Sequence, residues 1–416
     1  MSNNPNLLTI SEVATLAAES FMNELVFAKL VSRTYENEML TGKKKGDYID
    51  VRLPAEYESF DGPTLRQQDS FEGSARLQIN FDRNVGLHFT HEDLKLDVDS
   101  FQERFITPAA RTLANNFDSF IAQQMYLNAY HFEGTPGSIP NSLTAVTNCK
   151  TRLDNAGMSR DLVAVFDNAT YYSLTNTVVG LNPFSSSKAL DALEQNRLGM
   201  LGGFDTYQSS LIRRHTSSTP AAAGTISGAN QSVTYASVKD NNYQQTLVTT
   251  GITANAVIRR GDVFRIAGVN SVNPITQEDT GQQQTFVVMQ DVTANGTTTS
   301  TTGVIISPPI ITTGAHRTVT TTATNGAALT WLTGTAGTAY SQNLLFNKNA
   351  VQIAMVPFDE VPNMAGASPV VNRNINGFSV TVGQQYDIIN RKEIWRLDAV
   401  AAVKVVRPQG VCRLTA

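Results

Sequence analysis

The chain has 416 residues, a formal net charge of −4 and only 16% charged side chains, against about a quarter in an ordinary soluble protein. That length can hold two or three packed units with ample core, while the charge balance excludes a strongly basic, sequence-reading nucleic-acid binder. Cys149 and Cys412 have no companion at ligand spacing, which excludes a disulfide framework and a zinc knuckle and fits a chain folded in a reducing cytoplasm.

No apolar run approaches the ~20 residues needed to cross a bilayer. The N-terminus lacks the basic and apolar regions of a signal peptide, so the expectation is a chain neither exported by that route nor embedded in a membrane. Thr9, Ile10, Ser11 and Glu12 have capping-box spacing. The helix that follows carries Val13, Leu16, Ala17, Phe21 and Leu25 on one stripe and should fade near Arg33. Such an N-terminal element suits an arm packed on a neighbouring molecule or a helix packed on its own core.

From residue 43 to 91 the period changes from that of a helix to two. Alternation at 48–53 and again at 75–83 predicts two strands with one wetted face. The charged stretch between them makes a long hairpin, which needs support from its own body or another subunit. A long amphipathic helix is then expected over residues 99–131, with Phe101, Phe105, Ala109, Leu113, Phe117, Ile121 and Met125 recurring every fourth residue. Its core residues are read as Phe105, Leu113, Phe117 and Ile121, and at ~1.5 Å per residue it would be a strut roughly 50 Å long. Pro108 predicts either a kink in one continuous helix, the favoured reading, or a second helix with Thr107 as cap.

A helix at 141–155, a buried strand at 162–166, helices at 168–179 and 188–197 and a strand at 205–210 form a mixed unit. At Thr216 the composition turns rich in Thr and Ser. Short strands at 232–238, 246–250, 263–269, 285–290 and 303–306, punctuated by glycines, predict a small inserted β-barrel ending near residue 329. Strands at 350–356, 378–382 and 392–406 close the chain.

Chemistry is sparse. His88, His91, Glu92 and Asp93 are the nearest approach to a metal cluster, but residues three apart on a strand end face different ways. Lys43, Lys44 and Lys45 lie between glycines without the Gly-Lys-Ser/Thr ending of a phosphate loop. They are a solvated basic turn or a contact with acidic residues of a neighbour. No nucleophile elbow, zinc-protease motif or nucleotide fingerprint occurs, so no enzyme activity, no cofactor and no metal is expected.

Short motifs recur in a telling order: His91, Glu92, Asp93 and Leu94 before the long helix; Ala109, Ala110, Arg111, Leu113, Ala114, Asn115 and Asn116 within it; the decapeptide from Arg260 to Val269 in the inserted region; and the run from Asn343 to Ile353. On these residues the chain resembles the major capsid proteins of tailed bacteriophages with the Hong Kong 97 (HK-97-like) fold, and more closely the P-22-like coat protein family. The resemblance implies an α+β capsid fold: an N-terminal arm (1–36), an extended β-hairpin loop (37–92), a peripheral domain with its spine helix (93–160), an axial domain (161–215, completed by 330–416 with closing peripheral strands) and an inserted small β-barrel domain (216–329). It implies a homo-oligomer of hexamers and pentamers, a scaffolding protein and a portal during assembly, and enclosed double-stranded DNA bound without sequence specificity. The shell would assemble in the host bacterial cytoplasm and form the virion. Candidate intersubunit contacts are Lys43, Lys44, Lys45, Asp61 and Arg66, and the insertion-domain loop carries Lys239 and Asp240. That loop, residues 238–243, is shorter than the family's loop bridging two-fold axes, and Pro108 is a second departure. A β-rich phage tail or adhesin module is the alternative reading; it accounts for the Thr/Ser-rich region but not for the long helix.

Overall fold

The computed structural model describes residues 10–36, 48–90, 102–181, 195–218, 220–240, 243–297, 301–361 and 368–416. The chain divides into two compact units: residues 1–49, 77–121 and 352–404 form the first, and residues 50–76, 122–351 and 405–416 the second. The predicted helix at 188–197 falls mostly outside the described residues.

The first unit is built on long antiparallel strands. Phe378–Asp387 pairs with Val370–Ile375 on one side and with Lys392–Val405 on the other. Lys392–Val405 then takes up the strand Gly73–Thr90, in one register from Phe81 opposite Ala401 to Thr90 opposite Lys392, with a bulge setting off the pair Ile79 and Ala402. Helix Ile10–Glu24 lies against Val370–Ile375 and Phe378–Asp387 and buries Val13, Ala14, Ala17, Ala18 and Phe21. The stripe read from the sequence is therefore covered by the same chain.

The long helix begins with a π-helical turn, Gln102–Ile106, and continues as the α-helix Thr107–Asn128. The helical run passes through Pro108, and the winding widens just before it. A proline leaves one carbonyl of the preceding turn without its N–H partner, and a π-turn is a common way to absorb that loss. Within the first unit Phe117 is fully buried, its ring 5.0 Å from Phe81 and 6.2 Å from Phe21. One turn of the same helix supplies Asp118, which accepts hydrogen bonds from the backbone N–H groups of Val26 (2.5 Å), Phe27 (3.1 Å) and Ala28 (3.1 Å).

The second unit contains a seven-stranded sheet in the order His131–Glu133, Val411–Thr415, Ala339–Asn347, Leu162–Phe166, Phe204–Gln208, Met200–Leu201, with Arg214–Thr216 on the far end of Ala339–Asn347. Leu162–Phe166 is buried at every position, which explains its unbroken apolar run. Helix Leu143–Asn155, capped by the Ser142 hydroxyl accepting from the Thr144 N–H at 3.1 Å, packs on this sheet. Its Val146, Cys149 and Leu153 join Phe166, Leu174, Phe204, Leu345 and Cys412 in one core.

A second, six-stranded sheet lies between residues 223 and 331, in the order Leu329–Trp331, Val263–Val272, Asp279–Val288, Thr302–Ser307, Gln245–Ile252, Ala223–Ile226. Its two end strands meet at the bridge between Thr225 and Ala328, so the sheet is nearly closed. Ile226, Leu247, Phe264, Ile266, Phe286, Val304 and Leu329 fill its interior. One predicted strand is corrected: within residues 232–238, Tyr235–Val238 forms a single helical turn. The Ser237 hydroxyl donates to the Thr234 carbonyl at 2.7 Å, and such local side-chain bonds compete with sheet pairing.

Candidate functional site

The hairpin starts from paired strands, Tyr48–Leu53 beside the start of Gly73–Thr90. Arg76 grips Asp50 with two hydrogen bonds, at 2.9 and 3.3 Å, and Arg52 stands 3.7 Å from Glu72. Beyond these strands the two legs carry no sheet pairing. They are linked instead by Tyr57 Oη against Ser70 Oγ at 2.8 Å and by Glu58, whose N–H donates to Gln68 Oε1 at 2.9 Å while its carbonyl accepts from the Gln68 amide. Asp61 and Arg66 are both exposed near the tip, and the Arg66 guanidinium sits over the Phe60 ring at 5.2 Å. Three large apolar side chains remain open to solvent there: Tyr57, Phe60 and Leu65, the last 84% exposed. Lys43, Lys44 and Lys45 lie outside the described residues.

Of the four helix residues read as core, Leu113, Phe117 and Ile121 are fully buried. Phe105 is not. It is 36% exposed and meets Phe89 edge-on at 5.1 Å, while its neighbour Ile106 is buried. The cause is geometric: at 3.6 residues per turn each step of four drifts about 40°, so four steps from Ile121 carry Phe105 about 160° around the axis. A second apolar tip occurs at the turn between Phe378–Asp387 and Lys392–Val405, where Ile388 and Ile389 are 79% and 91% exposed.

The decapeptide from Arg260 to Val269 acquires a structural reason. Asp262 is fully buried and accepts from His215 Nε2 at 2.9 Å, from the Arg259 N–H at 3.0 Å, from the Thr333 hydroxyl at 3.1 Å and from the Ser218 hydroxyl. It thereby ties together the chain segments on either side of the six-stranded sheet, at 215–218 and at 333. Burial pushes its carboxyl up, but the bonds from His215 and Ser218 outweigh this and leave its pKa below the usual range. Gly261 must be glycine: its φ is +95°, and a Cβ would stand 2.9 Å from Leu127 and 3.2 Å from His215. Its carbonyl accepts from the fully buried Arg413 at 2.9 Å. No spacing in the sequence pairs residues 215, 262 and 333, so this network was invisible before folding.

Lys239 and Asp240 follow the helical turn Tyr235–Val238 and pair with one another at 2.9 Å. His88 is exposed on its strand, and His91, Glu92 and Asp93 lie outside the described residues. Among the described residues no group of His, Cys, Asp and Glu is placed to hold a metal, and no helix is long and apolar enough to cross a membrane.

Residues 6–413 match the P22 coat protein family, gene protein 5. The chain belongs to the P22 coat protein family. As a coat protein it is a phage capsid component with a mixed α/β capsid fold, and its role is that of the major capsid protein. No curated protein matches it. Among solved structures it is similar to that of Mycobacterium phage Che8, at 13% identity and a TM-score of 0.50, over 94% of this chain and 90% of that one. The likeness is one of fold. It is also similar to the capsid structure of the Cyanophage P-SCSP1u, with 11% identity and a TM-score of 0.47 over 94% and 87% of the two chains. A third structure, the capsid of Ralstonia phage GP4, shows 8% identity and a TM-score of 0.44 over 93% and 87%.

Proposed function

We propose that this coat protein assembles as hexamers and pentamers into the icosahedral shell of a tailed phage, with an HK-97-like subunit that has no enzymatic role. In this reading residues 1–36 are the N-terminal arm and residues 37–92 the extended loop lapping a neighbour. Residues 93–160 form the peripheral domain, residues 161–215 with 330–416 the axial domain and closing strands, and residues 216–329 the inserted barrel. Assembly takes place in the host cytoplasm with a scaffolding protein and a portal, and the finished shell encloses double-stranded DNA. A net charge of −4 suits that task, because tight phosphate binding grows with the number of Lys and Arg contacts.

The observation that carries this reading is the hairpin tip. Tyr57, Phe60 and Leu65 are exposed on legs that no sheet holds, and an apolar surface of that kind marks a contact with another molecule. Asp61 and Arg66 supply charged contacts at the tip, and Lys43, Lys44 and Lys45, at the start of the loop, supply further ones. The test is negative-stain microscopy of the chain co-expressed with its genomic neighbours. Closed shells are expected; fibres would return the tail or adhesin reading, and unassembled subunits alone would overturn the shell.

A further inference from the structure

The base of the hairpin is held on both legs by one small group of residues from the inserted region. On the outgoing leg Glu56 Oε2 stands 3.5 Å from His316 Nδ1. The His316 imidazole is stacked on the Tyr235 ring, with centroids 3.5 Å apart and planes 11° from parallel. On the returning leg Gly73 passes beneath the same tyrosine so closely that a Cβ would stand 2.4 Å from Tyr235 Oη. The next residue, Ser74, donates its N–H to the Lys239 carbonyl at 3.0 Å and its hydroxyl to Asp240 Oδ1 at 3.4 Å. Burial pushes the Glu56 carboxyl up and the His316 imidazole down, as expected for groups withdrawn from water against aromatic faces.

We propose that Tyr235, His316, Glu56 and Asp240 form a bracket that sets the direction in which the hairpin leaves its own subunit, and that they are positioning residues for shell assembly. This rests on the coat-protein reading. The physical need is leverage. From Glu56 to Asp61 an extended leg reaches about 17 Å at ~3.3 Å per residue, so a swing of about 10° at the base moves the tip about 3 Å. Contacts between packed surfaces do not survive such a shift, since a hydrogen bond beyond ~3.5 Å is already lost. Two paired strands alone would allow that swing, because an isolated hairpin has little stability in water. The bracket removes it by holding one leg through His316, which is stacked on Tyr235, and the other through Tyr235 itself and Asp240. Lys239 and Asp240 therefore act within their own chain, steering a contact made elsewhere.

The full-length chain in its assembling system provides the test, with subunit melting and particle diameter read side by side. Tyr235→Ala and His316→Ala should melt near the wild-type temperature yet form at least tenfold fewer shells of wild-type diameter. Tyr235→Phe, which keeps the stacked ring, should restore them. Wild-type diameter and yield from both alanine variants would overturn the bracket, as would a phenylalanine variant no better than alanine. Should either alanine variant fail to fold, the double variant Ser74→Cys with Asp240→Cys decides, because these residues face each other across a parallel bridge. Closed by a small disulfide oxidant, it should still give shells of normal diameter; loss of assembly on oxidation, regained on reduction, would show that the hairpin must leave the bracket. Absence of shells from the wild type would count against the coat-protein reading instead.

Discussion

Asp118 shows how much a single buried group can govern. It is fully buried, and burial pushes its carboxyl up to about 6 although three backbone N–H groups and Lys29 pull it down. In the unfolded chain the same group titrates near 3.9. Between these values the folded form holds a proton that the unfolded form has released, so this contribution is fully present below about pH 4 and is lost as pH rises through about 6. The difference is on the order of 3 kcal/mol. Acidification from pH 7 to 5 should therefore raise the wild-type unfolding midpoint relative to that of Asp118→Asn measured under the same two conditions; parallel shifts in both proteins would show that Asp118 is not the titrating group. His131 in the second unit has the opposite sign, since burial and Arg152 push its imidazole down to about 3 and acid below ~6.5 costs stability. The paired comparison with the asparagine variant cancels that term.

Also at this scale, Phe117 and Phe105 separate two kinds of aromatic residue on one helix. Phe117→Ala removes a ring enclosed by Phe21 and Phe81 and should cost about 3–5 kcal/mol. Phe105→Ala, at a site 36% exposed, should cost under about 1 kcal/mol. Equal shifts in the denaturant midpoint would refute the facing of the helix.

Among elements, the hairpin carries the strongest expectation. Leu65 is 84% exposed and touches no core, so Leu65→Asp should change subunit stability by no more than about 0.5 kcal/mol. In a shell the same site repeats at every equivalent edge, and a charge placed in an apolar contact must lose its water without gaining a partner. Sedimentation should then show a drop of at least tenfold in closed particles beside an unchanged melting curve. Normal particle yield would remove the tip from the interface. The strands at the base were readable from their period of two, whereas the links between the legs, Tyr57 to Ser70 and Glu58 to Gln68, have no periodic signature and appear only in the fold.

For the whole molecule, the nearly closed sheet has an interior drawn entirely from residues between Ile226 and Trp331. A fragment of residues 213–334 also keeps His215, Ser218, Asp262 and Thr333, the network at its neck. Expressed alone it should give dispersed amide signals and a β-type circular dichroism spectrum; a random-coil spectrum would show that the sheet depends on its host. Its exposed weak point is Val263 and Val287, which pack against Tyr130 and Phe132 in the intact chain.

Local chemistry was enough to reveal the strands of the hairpin, the stripe of the long helix around Leu113 and Phe117, the change of composition at Thr216 and the short motifs that mark a coat protein. Each depends on spacing along the chain, which the sequence displays directly. The partner of Gly73–Thr90, more than 300 residues away at Lys392–Val405, was decided only in three dimensions, as was the insertion of Val411–Thr415 between His131–Glu133 and Ala339–Asn347. So were the turn of Phe105 to the surface, the helical turn at Tyr235–Val238 where a strand was expected, and the ring of donors around Asp262. These outcomes depend on which distant surfaces bury one another and which buried polar groups find partners, and a linear order of residues does not encode either as a repeat.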